Sequence, residues 1–291
     1  MKVPSNKVGD IRSYYAQQLF KFYDEREVEI FLFMLLEEFA GISKSQVFLK
    51  PESTISESEL LNIHFAVKDL KNYKPIQYIL GKTEFYGFPI LVNPDVLIPR
   101  PETEELVDWV FNDTKQNTEM RVLDIGTGSG CIAIALKNQL PDISIQAIDI
   151  SFGALEIAEQ NAKMNQVDIT FHRTDIFDKK EWGKLGYYDI IISNPPYVRH
   201  IEKNEMRKNV LNYEPGSALF VDDKNPLLFY ASITEFAKSN LNQNGSLYCE
   251  INQYLGEETY QLIEKFGFKD IQLKKDLKGN TRFIKAIKDF H

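Results

Sequence analysis

Apolar positions along this chain follow two different periods. From Asp10 to Phe22 and again from Val28 to Phe39 they recur at helical spacing, with Gly41 placed to stop the second run. Ser56 followed by Glu59 has the form of a capping box, and after it Leu60, Leu61, Ile63, His64, Val67 and Leu70 share one face. A small helical bundle is predicted there. Between Thr83 and Leu97, aromatic and aliphatic residues alternate around turn signals, which predicts a β-hairpin. From Glu102 onward, strand-length apolar runs alternate with helical patterns. Strands are predicted at Arg121–Ile125, Ser144–Ile148, Ile169–His172, Asp189–Ser193 and Ser246–Ile251, a helix at Leu227–Ala237, and a closing strand pair at Phe268–Leu273 and Arg282–Ile287. Such alternation indicates an α/β fold, a mainly parallel sheet covered by helices on both faces. The expected organisation is a helical domain over residues 1–80, a hairpin linker over 81–101 and an α/β domain over 102–291.

Candidate chemistry sits where the predicted strands end. Arg121–Ile125, which contains Asp124, runs into Gly126, Thr127, Gly128, Ser129 and Gly130, and then into a helix of small and apolar residues from Cys131. Glycines there let backbone N–H groups approach a ligand, and the helix N-terminus favours its negative groups. The third glycine comes one position earlier than in the dinucleotide fingerprint, which weakens a nicotinamide reading. Asp149 follows the next strand, about 20 residues beyond the turn, where an acidic side chain grips ribose hydroxyls. Asp175 and Ile176 follow the third strand, an arrangement suited to an adenine amino group and its ring. Taken singly, Asp149 also reads as a helix cap and Asp175 as a loop carboxylate. Together with Asn194, they occupy the C-terminal strand ends at which open α/β sheets bind ligands.

Asn194, Pro195, Pro196 and Tyr197 form the most informative segment. Both prolines and the residue before them have restricted backbones, so the segment is rigid. The Asn194 side chain and the Pro195 carbonyl offer acceptors, and Tyr197 offers a flat face, a combination suited to a planar NH₂ group. Accepting both N–H hydrogens returns electron density to a delocalised nitrogen and orients it, and orientation alone can remove about 7 to 11 kcal/mol of barrier. Asn-Pro also starts ordinary turns after strands, so the tetrapeptide alone leaves both readings open.

Composition narrows the classes. With 291 residues, 43% of them hydrophobic, the chain can build two cores. The 34 basic against 42 acidic residues give a net charge of −8, the wrong sign for an enzyme that gains affinity from nucleic-acid phosphates. Lys203, Arg207 and Lys208 are the candidates for a local basic patch, set against a solvated helix face. No apolar stretch reaches membrane-spanning length, Met1 to Asn6 holds no signal core, and two cysteines, Cys131 and Cys249, suggest no disulfide framework. A reducing, cytoplasmic protein is expected. His64, His172, His200 and His291 lack metal-ligand spacing, and no metal is expected.

The glycine turn and tetrapeptide resemble those of the class I S-adenosylmethionine-dependent methyltransferases, whose fold is Rossmann-like. More narrowly the chain resembles the HemK/PrmC-type release factor glutamine methyltransferases, over nearly its whole length. Pro75–Gly81, Phe85–Phe88, Leu97–Glu104 and Tyr213–Pro215 carry that likeness as well. The resemblance implies methyl transfer from S-adenosylmethionine, leaving S-adenosylhomocysteine, to the amide nitrogen of the glutamine in the Gly-Gly-Gln motif of peptide chain release factors. It implies a glycine turn from Gly126 to Gly130 around the methionine part, Asp149 on the ribose, Asp175 and Ile176 at adenine, and Asn194 to Tyr197 receiving the glutamine amide. It also favours substrate recognition by the helical domain. The chain departs from the family where Glu250-Ile251-Asn252 lacks a following glycine, and at Ile176, a position often aromatic. The alternatives are an adenine-N6 or guanine-N2 nucleic-acid methyltransferase, which shares the tetrapeptide, and a cofactor-binding module or oxidoreductase, which leaves it unexplained. Direct attack on the sulfonium methyl is expected, without metal or covalent enzyme intermediate. Arg100 is open between substrate contact and loop brace, and Glu102 reads better as a helix-start carboxylate than as a base.

Overall fold

A computed structural model describes residues 5–114 and 119–289. The opening Met1 to Pro4 and His291 lie outside the described residues. The chain divides into two compact units, Met1–Gly81 with Arg207–Tyr213, and Lys82–Met206 with Glu214–His291.

In the first unit, α1 (Val8–Leu19), α2 (Glu25–Ala40), α3 (Lys44–Leu49), α4 (Glu57–Lys71) and α5 (Ile76–Leu80) bury Ile11, Tyr15, Leu32, Leu35, Ile63 and Leu70 against one another. Helix α1 ends earlier than the apolar spacing predicts, because the Phe22 and Tyr23 amides turn back onto the Leu19 carbonyl. Asp24 then caps α2 by accepting from the Glu27 amide at 2.9 Å. Gly41 stops α2 at φ 66°, a conformation open to glycine. Ser56 and Glu59 form the reciprocal capping box on α4. The segment 207–213 is tied into this unit by Arg207 to Glu27 and by the Tyr213 hydroxyl donating to the Asn72 carbonyl at 2.9 Å.

The second unit opens with the hairpin of β1 (Lys82–Phe85) and β2 (Phe88–Leu91), whose Tyr86-Gly87 turn has positive φ at both positions. It is shorter than expected. Beyond it the Asn93 side chain accepts from the Asp95 amide at 2.9 Å, turning the chain, and Pro94 has no N–H to donate to a ladder. Asn161, fully buried, clamps the hairpin by bonding both the amide and the carbonyl of Leu91, and it also donates to the Ser129 carbonyl at the glycine turn. The hairpin therefore groups with the second unit.

The remaining elements are α6 (Pro101–Thr114), β3 (Arg121–Ile125), α7 (Cys131–Gln139), β4 (Ser144–Asp149), α8 (Phe152–Met164), β5 (Thr170–Arg173), β6 (Tyr188–Ser193) and β7 (Val198–Arg199). There follow α9 (Lys208–Tyr213, grouped with the first unit), α10 (Gly216–Leu219), β8 (Phe220–Val221), α11 (Leu228–Asn240), β9 (Leu241–Glu250), α12 (Gly256–Lys265), β10 (Lys269–Lys275) and β11 (Thr281–Ile287). A seven-stranded sheet runs in the order β10-β11-β9-β6-β3-β4-β5, parallel from β9 to β5, with β10 and β11 antiparallel at one edge. Leu123, Ile191, Tyr188, Tyr230, Phe236 and Phe268 are among its buried core. The chain leaves β3 in one direction for β4 and β5, then returns to the other side for β6 and β9. The order reverses beside β3, and the crevice at such a point is where open sheets of this class bind ligands.

Candidate active site

The parallel registers bring the strand ends level. Ile125 pairs with Ile148 and Ser193, Ser193 with Cys249, and Asp149 with Arg173. Gly126, Asp149, Asn194, Glu250 and the Thr174-Asp175 pair therefore emerge at one edge. A cavity of about 310 Å³ opens there, lined by Gly126 to Ser129, Asp149, Asp175 to Phe177, and Asn194 to Pro196. Asp124, Gly130 and Tyr197, also singled out in the sequence, do not line it.

Gly126 and Gly128 have φ of 71° and 55°, and an added Cβ at either would meet no protein atom within 4 Å. The space left by their missing side chains is open, a cradle suited to a ligand pressed against backbone. The Gly128 amide donates to Asp149 Oδ2 and the Ser151 amide to Oδ1, each at 2.9 Å. Each carboxylate oxygen retains a lone pair for a hydroxyl donor. Burial raises the Asp149 pKa against these amide bonds. The cap of α8 is Ser151, whose Oγ accepts from the Ala154 amide at 3.2 Å, so Asp149 is not needed there.

Asp124 lies fully buried beneath the turn. Its Oδ2 accepts from the Thr127 hydroxyl at 2.6 Å, while Oδ1 has no hydrogen bond of ordinary geometry. Burial, with the nearby Asp149, pushes its pKa up to about 7, although Thr127 and the Ala133 amide favour the charged form. The structure thus gives Asp124 the turn itself as its neighbour, where the sequence pointed to the ligand.

Asp175 Oδ1 accepts from the Phe177 amide at 2.9 Å, and Ile176 packs into the core while lining the cavity. Phe177 and Phe229 also line it, their rings 5.0 Å apart and tilted. Phe177, next to Ile176, thus brings an aromatic residue to the cavity wall.

Asn194 Nδ2 donates to Thr103 Oγ1 at 3.1 Å, and Thr103 Oγ1 donates to Glu250 Oε2 at 2.7 Å. The other oxygen of Glu250 accepts from the Tyr197 hydroxyl at 2.8 Å, and the Asn252 side chain donates to the Tyr197 carbonyl at 2.9 Å. Tyr197 was expected as a flat wall for an incoming amide. Its hydroxyl instead points to Glu250, and Arg282 stands over its ring, 5.9 Å from the centroid. Burial raises the Glu250 pKa, opposed by the Thr103 and Tyr197 hydroxyls and by Arg282.

Arg100 lines the cavity and braces it, reaching Glu214 at 2.6 Å. The same carboxylate accepts from the Ile98 amide at 3.2 Å, so the Leu97–Glu104 and Tyr213–Pro215 stretches meet at one buried side chain. Glu102 sits in the first turn of α6, pairs with Lys278 and does not line the cavity. Lys203 lies over the Phe220 ring, Arg207 pairs with Glu27 and Lys208 lies over Tyr73, so each has its own neighbour. Cys131 and Cys249 are buried free thiols. Among the described residues, no group of His, Cys, Asp and Glu is placed to hold a metal ion, and no helix is long and apolar enough to cross a membrane.

Residues 106–213 match the family described as Methyltransferase small domain, and residues 12–81 that described as PrmC N-terminal domain. A Release factor glutamine methyltransferase of Flavobacterium psychrophilum is 49% identical over 282 residues, spanning 96% of this chain and 98% of that one. The chain belongs to the release factor glutamine methyltransferase family. A second member, from Bacteroides thetaiotaomicron, is 43% identical over 281 residues, 95% of this chain and 98% of its own. The fold is shared more widely. The hMettl16 catalytic domain, solved with the MAT2A 3'UTR hairpin 6, superposes with a TM-score of 0.55 at 16% identity, covering 82% of this chain and 84% of that one. A methyltransferase from Pyrococcus furiosus gives 0.51 at 18% identity, covering 79% and 98%. These establish the class I methyltransferase fold.

Sequence reasoning gave no role to Thr103, Phe177, Glu214, Phe229 or Glu250. Thr103 and Glu214 lie inside the family stretches, and Glu250 ends a buried strand as Asp149 does. The same positional rule reaches Glu250. Nothing in the spacing marks Phe229, which comes from α11.

Proposed function

We propose that this chain transfers the methyl group of S-adenosylmethionine to the side-chain amide nitrogen of the glutamine in the Gly-Gly-Gln motif of peptide chain release factors, leaving S-adenosylhomocysteine. The observation that carries the reading is a single cavity faced by the Gly126–Ser129 turn, Asp149 and Asn194–Pro196, in a chain 49% identical along nearly its whole length to a Release factor glutamine methyltransferase.

The cofactor supplies, when bound, an electrophilic methyl whose departure leaves a neutral thioether. The backbone from Gly126 to Ser129 cradles its amino-acid part, with no Cβ at Gly126 or Gly128 to hold it off. Asp149, already oriented by two amides, accepts from ribose hydroxyls through its remaining lone pairs. Asp175 takes the adenine amino group, and Ile176 with Phe177 covers the ring. Gly130 and Asp124 act from behind, Gly130 by admitting close packing of α8 and Asp124 by holding Thr127. Asn194 Oδ1 and the Pro195 carbonyl accept the two N–H hydrogens of the glutamine amide, which aims the nitrogen and polarises it. Pro196 stiffens the segment, and Tyr197 anchors it through Glu250. As the new N–C bond forms, the sulfonium C–S bond breaks and the methylated nitrogen releases one of its two protons to water; Glu102, paired with Lys278 and outside the cavity, is not the base. The reading places the enzyme in the reducing cytoplasm with both thiols free.

The test supplies the protein with methyl-labelled S-adenosylmethionine and three acceptors: a purified release factor, the same factor with its motif Gln→Ala, and bare RNA or DNA. Label on the intact factor alone, on that glutamine by mass spectrometry, is the expected result. Label on nucleic acid, or none on the intact factor, would overturn it.

A further inference from the structure

One carboxylate reaches both ends of the tetrapeptide, Tyr197 directly and Asn194 through Thr103. Glu250, 1% exposed, accepts from the Tyr197 hydroxyl on one oxygen and from the Thr103 hydroxyl on the other. Thr103, 2% exposed, stands in the first turn of α6 and lines the cavity beside Asn194. A hydroxyl has one proton and two lone pairs. Thr103 gives its one proton to Glu250 Oε2 at 2.7 Å, so at 3.1 Å only the NH₂ end of the Asn194 amide can face Thr103 favourably. A flipped amide would set its oxygen against a hydroxyl oxygen with no proton to share. The polarity of the network therefore runs one way, from Asn194 Nδ2 to Thr103 and on to Glu250, and Asn194 Oδ1 is left as the free acceptor.

Resting on the methyl-transfer reading, the geometry points to Thr103 and Glu250 as positioning residues that fix which end of the Asn194 carboxamide meets the acceptor nitrogen. Neither touches the reacting atoms. Their work is done before substrate arrives, by removing the flipped rotamer of a side chain whose two ends have the same shape and opposite hydrogen-bonding character. Glu250 serves twice, because its second oxygen ties Tyr197 and so fixes the far end of the segment.

The experiment compares Thr103→Val, Thr103→Ser and Glu250→Gln with the parent chain in three readouts: kcat for methyl transfer to a release factor, cofactor Kd by calorimetry, and Tm. Thr103→Val keeps the shape and β-branch but removes the proton and the lone pairs. It is expected to lower kcat about tenfold to a hundredfold, the loss of one hydrogen bond to a charged network, with cofactor Kd changed less than about threefold. Thr103→Ser is expected to restore most of the lost kcat. A merely structural role would lower Tm and weaken cofactor binding together, and Ser would not rescue turnover selectively. Glu250→Gln carries the same test should Thr103→Val fail to fold, since its NH₂ must face either Thr103 or Tyr197 and one of the two anchors reverses. It too is expected to lower kcat at unchanged Kd. Parental kcat in Thr103→Val, or in Glu250→Gln where Thr103→Val is unfolded, overturns the inference while leaving methyl transfer intact. A parent chain inactive on every release factor supplied overturns the methyl-transfer reading, and the positioning roles fall with it.

Discussion

At the residue scale, Asp149 joins the glycine turn to the cavity. It holds the Gly128 and Ser151 amides while facing the cavity, so its removal loosens the turn and, in the proposed function, deletes the ribose partner at once. Asp149→Ala is expected to raise the cofactor Kd by about tenfold or more, as follows from losing hydrogen bonds to a charged group, and to lower the Tm of the cofactor-free protein as well, since two turn amides lose their acceptor; calorimetry and thermal melts check both. Asp124 makes a different prediction. Its folded-state pKa of about 7 lies above its ordinary value of 3.8, so it favours the folded state fully below pH 3.8, and that contribution fades as pH rises through 7. Asp124→Asn cannot titrate, and its Tm relative to the parent is expected to rise steadily between pH 5 and about pH 8. A flat difference across that range would place the Asp124 pKa elsewhere. Asp149 and Asn194 were legible in the sequence because each ends a strand. The Asn194–Thr103–Glu250 network was not, since its links span 91 and 147 positions and depend on where α6 docks.

At the scale of elements, the glycine turn divides its labour. Gly128 faces open cavity, whereas a Cβ on Gly130 would stand 3.2 Å from the Ala158 Cβ of α8 and 3.4 Å from Ile134 Cδ1. Both have positive φ, so alanine at either costs about 1 to 2 kcal/mol in backbone strain, and at Gly130 overpacking against α8 adds about 1 to 3 kcal/mol. Gly130→Ala is therefore expected to lower Tm more than Gly128→Ala, and Gly128→Ala to weaken cofactor binding more. The reverse order would mean that Gly128 and Gly130 have exchanged roles. Caps and strand periods made most elements readable: Ser56 and Gly41 stand where their helices begin and end, and the isoleucine run of β6 is a buried central strand. The hairpin was readable only in part. Its apolar alternation continues past Leu91, yet pairing stops there, because Asn93 turns the chain and the Asn161 clamp that docks β2 on α8 is 70 residues away.

At the scale of the whole molecule, the match to the PrmC N-terminal domain, residues 12–81, lies within the first compact unit, whereas the match to the Methyltransferase small domain, residues 106–213, lies in the second except for its last stretch, 207–213, which groups with the first. The parallel sheet fixes why the chemistry collects where it does: level strand ends deliver the turn, Asp149, Asp175, Asn194 and Glu250 to one rim. A net charge of −8 fits a protein acceptor better than a duplex whose affinity rests on phosphate neutralisation. The most direct test of the account is kcat for release factor methylation by Asn194→Ala, measured at saturating cofactor alongside the cofactor Kd. In the proposed function the rigid carboxamide orients and polarises the acceptor nitrogen, so kcat is expected to fall about a hundredfold or more while Kd stays near that of the parent. Full turnover by Asn194→Ala would contradict the account.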